Sequence, residues 1–238
     1  MSGRVYGGSR TGARAAACRG WRRRAGLATL TAFGLVACVP RLDAQRVTAG
    51  AQYALAQYAE QGAALRFTGG GPAGHVSLQW RRFGLHAAAA RLSFEPRERA
   101  DVTDAFEATQ LDLRLRVRAT RLVSVEAGFV DRDIEPLHAA QSVASMRLGA
   151  LIAFPLHVDS ELAARASYLG GSRFSGGGSA PFGVEIGLNV SHALRWRHLR
   201  LTGDLEFQRL DRRTETAGGE LAAPIQSAIA RIGVMVAY

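Results

Sequence analysis

The feature that most constrains this chain is a repeated alternation of apolar with polar or small residues, in segments of about ten residues. In 199–208, the odd-numbered residues are apolar or glycine and the even-numbered residues are polar or charged. The segments 109–118 and 182–191 repeat the pattern. Because successive side chains of a strand point to opposite faces, the pattern predicts strands with one apolar and one polar face.

Weaker forms of the pattern occur in six further segments, and 227–238 completes a set of ten predicted strands. In one of the weaker segments, the apolar stripe follows the even-numbered residues from Ala88 to Phe94, which places Arg91 on the polar face. No run after residue 45 is long enough for a membrane-spanning helix.

The connections between these strands are alternately short and long, and the long ones are rich in Gly, Pro and charged residues. The long connections are 56–74, 95–108, 131–143, 170–181 and 209–226. Short turns at one end and long loops at the other are typical of membrane barrels. We therefore predict an all-β fold, an antiparallel up-and-down transmembrane β-barrel of ten strands. Eight strands is the alternative, in which 48–65 and 86–91 are helical.

The N-terminal part of the chain is organised like a secretory signal. An arginine cluster precedes an apolar run at 25–37, and a short polar tail leads to Ala44. The apolar run is shorter than the roughly 20 residues that a spanning helix needs. We predict a signal peptide over 1–44 and a barrel domain over 45–238. The alternative is cleavage before Cys38, because residues 35–38 resemble a lipobox and Cys38 would then be lipidated.

The charge of the chain is concentrated in that predicted leader. All 30 basic residues are arginine, and the net charge is +10. Eight of the arginines fall in 1–44 against one acidic residue, whereas 45–238 holds 22 arginines and 19 acidic residues. The barrel domain is therefore close to balanced, and we predict no nucleic-acid partner. Both cysteines lie in 1–44, so the barrel domain has no disulfide and no cysteine metal site.

The last strand ends in an aromatic residue and carries an apolar stripe. The stripe consists of Ala230, Ile232, Val234, Val236 and Tyr238. It resembles the C-terminal signal strand of bacterial outer-membrane β-barrel proteins as a general class, and we match no subfamily. The resemblance implies export to the outer membrane, contact with its lipid, and recognition of this strand by the barrel-assembly machinery. A periplasmic lipocalin-like binding barrel is the alternative, because it shows the same alternation with its apolar face inward.

With the apolar face toward lipid, the charged residues of the strands face the lumen. They are Arg91, Asp112, Arg114, Arg116, Glu126, Arg147, Arg165, Glu185, Asp204, Glu206 and Arg231. Charges removed from water must be paired, and arginine pairs well with carboxylates. We predict a structural ion-pair network that largely fills the lumen, in a protein with a structural or surface-interaction role. A narrow pore that prefers anions is the alternative, because arginines outnumber acidic residues in the set.

Two motifs bear on catalysis and cofactors. Residues 69–74 match G-x-G-x-x-G, but Pro72 and a strand-like segment follow instead of a helix, so we predict a loop. Asp131 and Asp133, with His138 nearby, resemble the rim carboxylates and histidine of outer-membrane aspartyl-type proteases, but the chain lacks an Asp-x-His partner motif. An outer-membrane hydrolase is thus an alternative. We predict no enzyme activity, no catalytic residue, no cofactor and no metal.

Overall fold

A computed structural model of the chain describes residues 45–61, 65–97, 105–136, 138–196, 198–216 and 219–238. The predicted signal peptide over 1–44, with its cleavage after Ala44 and the alternative at Cys38, lies outside the described residues. Across the parts of the chain that the structure describes, we find no helix long and apolar enough to cross a membrane.

The described residues form thirteen strands and one short 3-10 turn at Ala139–Gln141. The strands are β1 (Gln45–Glu60), β2 (Leu65–Trp80), β3 (Phe83–Pro96), β4 (Phe106–Arg118), β5 (Val123–Glu135), β6 (Val143–His157), β7 (Ser160–Phe174), β8 (Ser179–Ala180), β9 (Gly183–Ala193), β10 (Leu199–Leu210), β11 (Arg213–Thr216), β12 (Gly219–Ala222) and β13 (Ile225–Ala237).

Ten of these strands close into a barrel. Strands β1 to β7 pair in order, β7 pairs with β9, and β9, β10 and β13 follow in antiparallel pairs. The ring closes where β13 pairs with β1, and there Val47 and Tyr238 exchange two backbone hydrogen bonds of 3.0 and 2.9 Å. The predicted ten-stranded antiparallel barrel is confirmed. The helical alternative is excluded, because β1 and β3 cover 48–60 and 86–91 as paired strands.

The barrel has a turn end and a loop end. At the turn end, the connections between strands contain residues 81–82, 119–122, 158–159, 194–196 and 198. The first strand begins at this end and the last strand ends there. At the loop end, longer connections include the small strands β8, β11 and β12. Several strands extend farther toward the loop end than predicted, so that β5 runs through residues 131–135 instead of ending before a loop.

The predicted glycine loop at 69–74 is wrong, because these residues lie within β2 and pair with β1 throughout. Pro72 lacks an N–H and cannot donate to a neighbouring strand, and the pairing between β2 and β3 is interrupted at Gly71 and Pro72. Gly71 approaches β3 closely, since a Cβ at this position would lie 2.0 Å from the carbonyl oxygen of Arg91. Position 71 therefore requires glycine, because β2 and β3 approach each other too closely there for a side chain.

In the half of the barrel nearer the turn end, burial is inverted relative to a soluble protein. Leu205 is 58% exposed on the outer face, whereas its neighbour Glu206 is 5% exposed inside the barrel. The exposed apolar side chains of the outer face include Leu55, Leu85, Leu111, Leu113, Leu115, Met146, Leu148, Ile186, Leu188, Leu201, Leu205 and Ile232. An apolar exterior around a polar interior is the arrangement of a transmembrane β-barrel, and it contradicts the lipocalin-like alternative.

Near the loop end, this burial reverses within the same strands. Leu92 and Phe94 of β3 are buried inside the barrel, whereas Phe83 and Leu85 of the same strand are exposed on its outer face. The predicted stripe from Ala88 to Phe94 therefore faces inward. Where a strand extends beyond the lipid into water, an apolar outer face is no longer favourable. Its apolar side chains are then more stable inside the barrel, away from water.

The placement of Arg91 in the lumen is consequently wrong. Its side chain is 68% exposed on the outer face and pairs with Glu107 at 2.6 Å. The prediction assigned a single apolar face to the whole strand, but the apolar side chains of β3 change face along its length. Arg91 thus marks a part of the outer surface that is polar.

Candidate functional site

The lumen contains three layers, which we call the plug, the network and the vestibule from the loop end to the turn end. The plug is an apolar cluster inside the barrel. Its members include Tyr58, Phe67, Leu92, Phe94, Phe106, Ile134, Val143, Leu169, Phe174 and Leu210. Nothing in the alternation pattern predicted it, because each of its residues was assigned to a loop or to the outer face, or was left unassigned.

Aromatic rings account for the tight packing of the plug. Phe106 lies at the centre of the rings, with centroids 4.9 Å from Phe67, 4.8 Å from Phe94 and 5.8 Å from Tyr58. The His138 ring covers Phe67 and Phe106 at 5.3 and 5.2 Å. A gap of about 10 Å³ remains inside the plug, which has room for about one water molecule. The plug therefore closes the lumen at the loop end.

Arg132 of β5 joins the plug to the network. Its guanidinium donates to Gln110 at 3.2 Å, to Gln208 at 2.9 Å and to Ser227 at 3.1 Å, so it contacts three other strands across the lumen. The prediction missed Arg132 because 131–143 was assigned to a loop. The available signal was the alternation itself, since Val130 and Ile134 flank Arg132 at strand spacing and are also buried.

The network is a chain of arginines and carboxylates. Arg147 donates to both carboxylate oxygens of Asp112 at 2.8 Å and also contacts Glu185. Asp112 is shared with Arg114 of the same strand, and Glu185 accepts from Arg165 at 3.0 Å. Each carboxylate of this part is therefore held by two arginines.

Glu206 of β10 extends the network to the last strand. Its carboxylate accepts from Arg231 at 3.0 Å and from Arg165 at 3.5 Å. Arg116 and Glu126 form a separate pair at 2.7 Å, and Asp204 accepts a hydrogen bond from Asn189 at 2.7 Å. Ten of the eleven predicted lumen residues therefore face the interior, and Arg91 is the exception.

The vestibule is a cavity of about 370 Å³ on the turn side of the network. Nine arginines and four acidic residues line it. They are Arg46, Arg82, Arg114, Arg116, Arg118, Arg121, Arg165, Arg200 and Arg231, with Asp112, Glu161, Asp204 and Glu206. Residues 82, 121 and 122 of the connecting turns belong to the lining, so the vestibule opens at the turn end. The small residues Gly84, Ala88 and Ala163 form parts of its wall and leave the space open.

The C-terminal stripe faces outward along β13. Ile232, Val234 and Tyr238 are exposed, and the ring of Tyr238 stacks on His198 with centroids 5.5 Å apart. Trp80, Phe83 and Trp196 are further exposed aromatic residues at the turn end. Aromatic side chains in this position are typical of the lipid interface of membrane barrels.

The structure does not bring the rim constellation together. Asp131 and Asp133 flank the inward-pointing Arg132 and therefore lie on the other face of β5, where Asp133 accepts from the Ser142 hydroxyl at 3.0 Å. His138 instead packs on the rings of the plug. Among the described residues, we find no group of three or more His, Cys, Asp or Glu side chains that could hold a metal ion.

No protein-family model matches the chain, and a search of curated proteins found no match. Among solved structures, the chain is similar to the outer membrane protease OmpT from Escherichia coli, with 8% identity, a TM-score of 0.49, and coverage of 84% of this chain and 99% of that one. It is also similar to an outer membrane channel from Pseudomonas putida F1, with 9% identity, a TM-score of 0.45, and coverage of 84% and 100%. Neisserial surface protein A has 10% identity, a TM-score of 0.39, and coverage of 80% and 96%.

Proposed function

We propose that this protein is a non-enzymatic outer-membrane barrel with a sealed lumen, which serves a structural or surface-interaction role. The plug carries the proposal, because aromatic rings within 6 Å of one another fill the loop end of the lumen. Below them, paired charges cross the interior from β4 to β13. Both layers oppose the passage of ions.

The outer face supports the membrane location. Its exposed apolar side chains would contact lipid, and the exposed aromatic residues at the turn end would lie at the interface. By the rule that short turns are periplasmic in bacterial barrels, the loop end faces the cell exterior. Recovery with the outer membrane, together with heat-modifiable migration in gels, is the expected outcome of fractionation; recovery as a soluble periplasmic protein would contradict it.

A narrow pore that prefers anions is the second candidate function. The observation that favours it is the excess of arginines in the vestibule. Passage of an ion requires the plug to open, because the packed rings lie between the network and the loop end.

Ion conductance of the purified protein in a planar bilayer tests the sealed barrel. We expect no discrete current steps from the unmodified protein, and brief openings when Phe67→Ala and Phe106→Ala together weaken the plug. The matched control is Phe129→Ala with Phe207→Ala, which removes two rings exposed on the outer face. Steady anion-preferring steps from the unmodified protein would instead support the pore.

A further inference from the structure

We propose that the vestibule is a binding site for a small multivalent oxyanion of the phosphate type. The lumen is closed behind it, so an anion that enters from the turn end stays in a pocket and does not pass through. A cavity of about 370 Å³ lies within the usual range for small-molecule sites.

The charges that line the vestibule do not neutralise one another. Its inner members, including Arg114, Arg165 and Arg231, take part in ion pairs. Nearer the mouth, five lining arginines form no ion pair with any described residue: Arg46, Arg82, Arg118, Arg121 and Arg200. The acidic lining residues without an ion pair in the described chain are Glu161 and Asp204.

Three of these arginines lie on neighbouring backbone segments at the mouth of the vestibule. The backbone N–H of Arg118 donates to the carbonyl oxygen of Arg82 at 2.7 Å, and Arg121 follows in the turn after β4. Arginines without a carboxylate partner around one cavity repel one another, and a multivalent anion bound among them would offset that repulsion. Arginine suits this role, because its planar guanidinium donates two parallel hydrogen bonds to a phosphate or carboxylate.

The strand register directs these arginines toward the cavity, although Arg46 and Arg118 are exposed at its mouth and only Arg200 is half-buried. Arg46, Arg118 and Arg200 occupy the inward-facing register of β1, β4 and β10, the same register as Thr48, Arg116 and Thr202. The inner wall beside them consists partly of glycine and alanine, which leaves a space instead of filling it. A cleft lined by one sign of charge concentrates counter-ions of the opposite sign.

Neutral donors complete the site. Arg200 donates to the Ser191 hydroxyl at 2.8 Å, which orients its guanidinium, and the side chains of Ser77 and Gln79 also line the cavity. The mouth is near the level of the lipid interface, so the phosphate can belong to a soluble periplasmic compound or to a lipid headgroup. Both sources offer the same chemistry to the arginines.

Calorimetric titration of pyrophosphate into the folded protein, in a neutral detergent at low salt, tests the site. We expect saturable binding that weakens as sodium chloride is added, because salt screens charges in open sites. Arg82→Gln with Arg121→Gln should lower the affinity by roughly tenfold or more. Arg195→Gln is the matched control, because Arg195 is exposed at the same end but is not among the residues that line the vestibule. The affinity of this variant for pyrophosphate should stay within about twofold of that of the unmodified protein.

A second variant should change the affinity for pyrophosphate in the opposite direction. Glu161→Gln removes an acidic residue of the lining, so it should increase the affinity for pyrophosphate. Equal loss in the Arg195→Gln control and the double variant would overturn the proposal, and so would absence of saturable binding. The binding measurement and the conductance measurement are independent. Absence of pyrophosphate binding would not contradict the sealed barrel, and current steps in the bilayer would not contradict pyrophosphate binding.

A competition arm identifies the source of the phosphate. Short-chain phosphatidylglycerol is added to the detergent micelles before the pyrophosphate titration. Displacement of pyrophosphate assigns the site to a lipid headgroup, and undiminished binding assigns it to a soluble phosphate compound; both outcomes support the site.

Discussion

The guanidinium of Arg147 on β6 donates to both oxygens of the Asp112 carboxylate on β4, at 2.8 Å each. These residues lie on strands that do not pair directly, because β5 separates β4 from β6. The contact therefore spans the curved inner wall of the barrel. Arg147 also holds Glu185 of β9, so one side chain joins two carboxylates from different parts of the ring.

Replacing Arg147 with leucine should destabilise the barrel. The change leaves Asp112 and Glu185 each with a single arginine inside the lumen, and breaking such a pair costs about 3 kcal/mol. Urea unfolding in detergent measures the loss. Arg173→Leu, at an exposed arginine near the loop end, should change the free energy of unfolding by less than about 0.5 kcal/mol.

A second change should recover part of that loss. Glu185→Gln in the Arg147→Leu background removes the surplus negative charge and keeps an oxygen that can accept from Arg165. A stability no higher than that of Arg147→Leu alone would show that the charges are not coupled. An unchanged free energy of unfolding in Arg147→Leu would contradict a stabilising role of the network.

Leu205→Arg should cost about 2–4 kcal/mol in a lipid-exposed position. The control is Leu221→Arg on β12, because both leucines are 58% exposed but Leu221 belongs to the small strands at the loop end. Folding into lipid vesicles, followed by urea unfolding, compares the two. Equal losses of unfolding free energy in the two variants would contradict a membrane boundary between the two positions. If both leucines were exposed to water, arginine would be tolerated equally at both.

Tyr238→Asp should reduce the yield of assembled barrel. Tyr238 closes the ring by pairing with Val47 on the first strand, and its exposed ring lies against His198 at the turn end. An aspartate there would place a charge at the lipid interface. Heat-modifiable migration of membrane fractions gives the folded yield. The control Arg195→Ala, at the same end of the barrel, should leave this yield unchanged. Equal folded yields for Tyr238→Asp and Arg195→Ala would show that assembly does not depend on Tyr238.

Peptidase and lipase assays should detect no activity that depends on Asp131 or His138. These residues lie apart, with Asp131 on the face of β5 opposite Arg132 and His138 against the plug. Asp131→Asn and His138→Ala are the test variants. Hydrolysis by the unmodified protein that either variant abolishes would establish an enzyme and contradict the proposed non-enzymatic role.

The alternation of apolar and polar residues was sufficient to predict ten strands and most of the inward-facing charges. It worked best where strands cross the lipid, as around Leu205 and Glu206, because one face there must be apolar and the other polar. It failed at Arg91, where apolar residues change from the outer to the inner face within one strand. Periodicity alone does not report which solvent surrounds each part of a strand.

The sequence by itself predicted the antiparallel barrel and the inward register of residues such as Glu185, and it favoured ten strands over eight. Those features follow from the period of two and from the alternation of short and long connections. The tertiary structure alone decided which charges meet, as Arg147 with Asp112, and that Phe67, Phe94 and Phe106 converge on one plug. It also decided that the vestibule arginines share one cavity. Such contacts join strands far apart in the chain, and their neighbours are set by the closure and stagger of the ring.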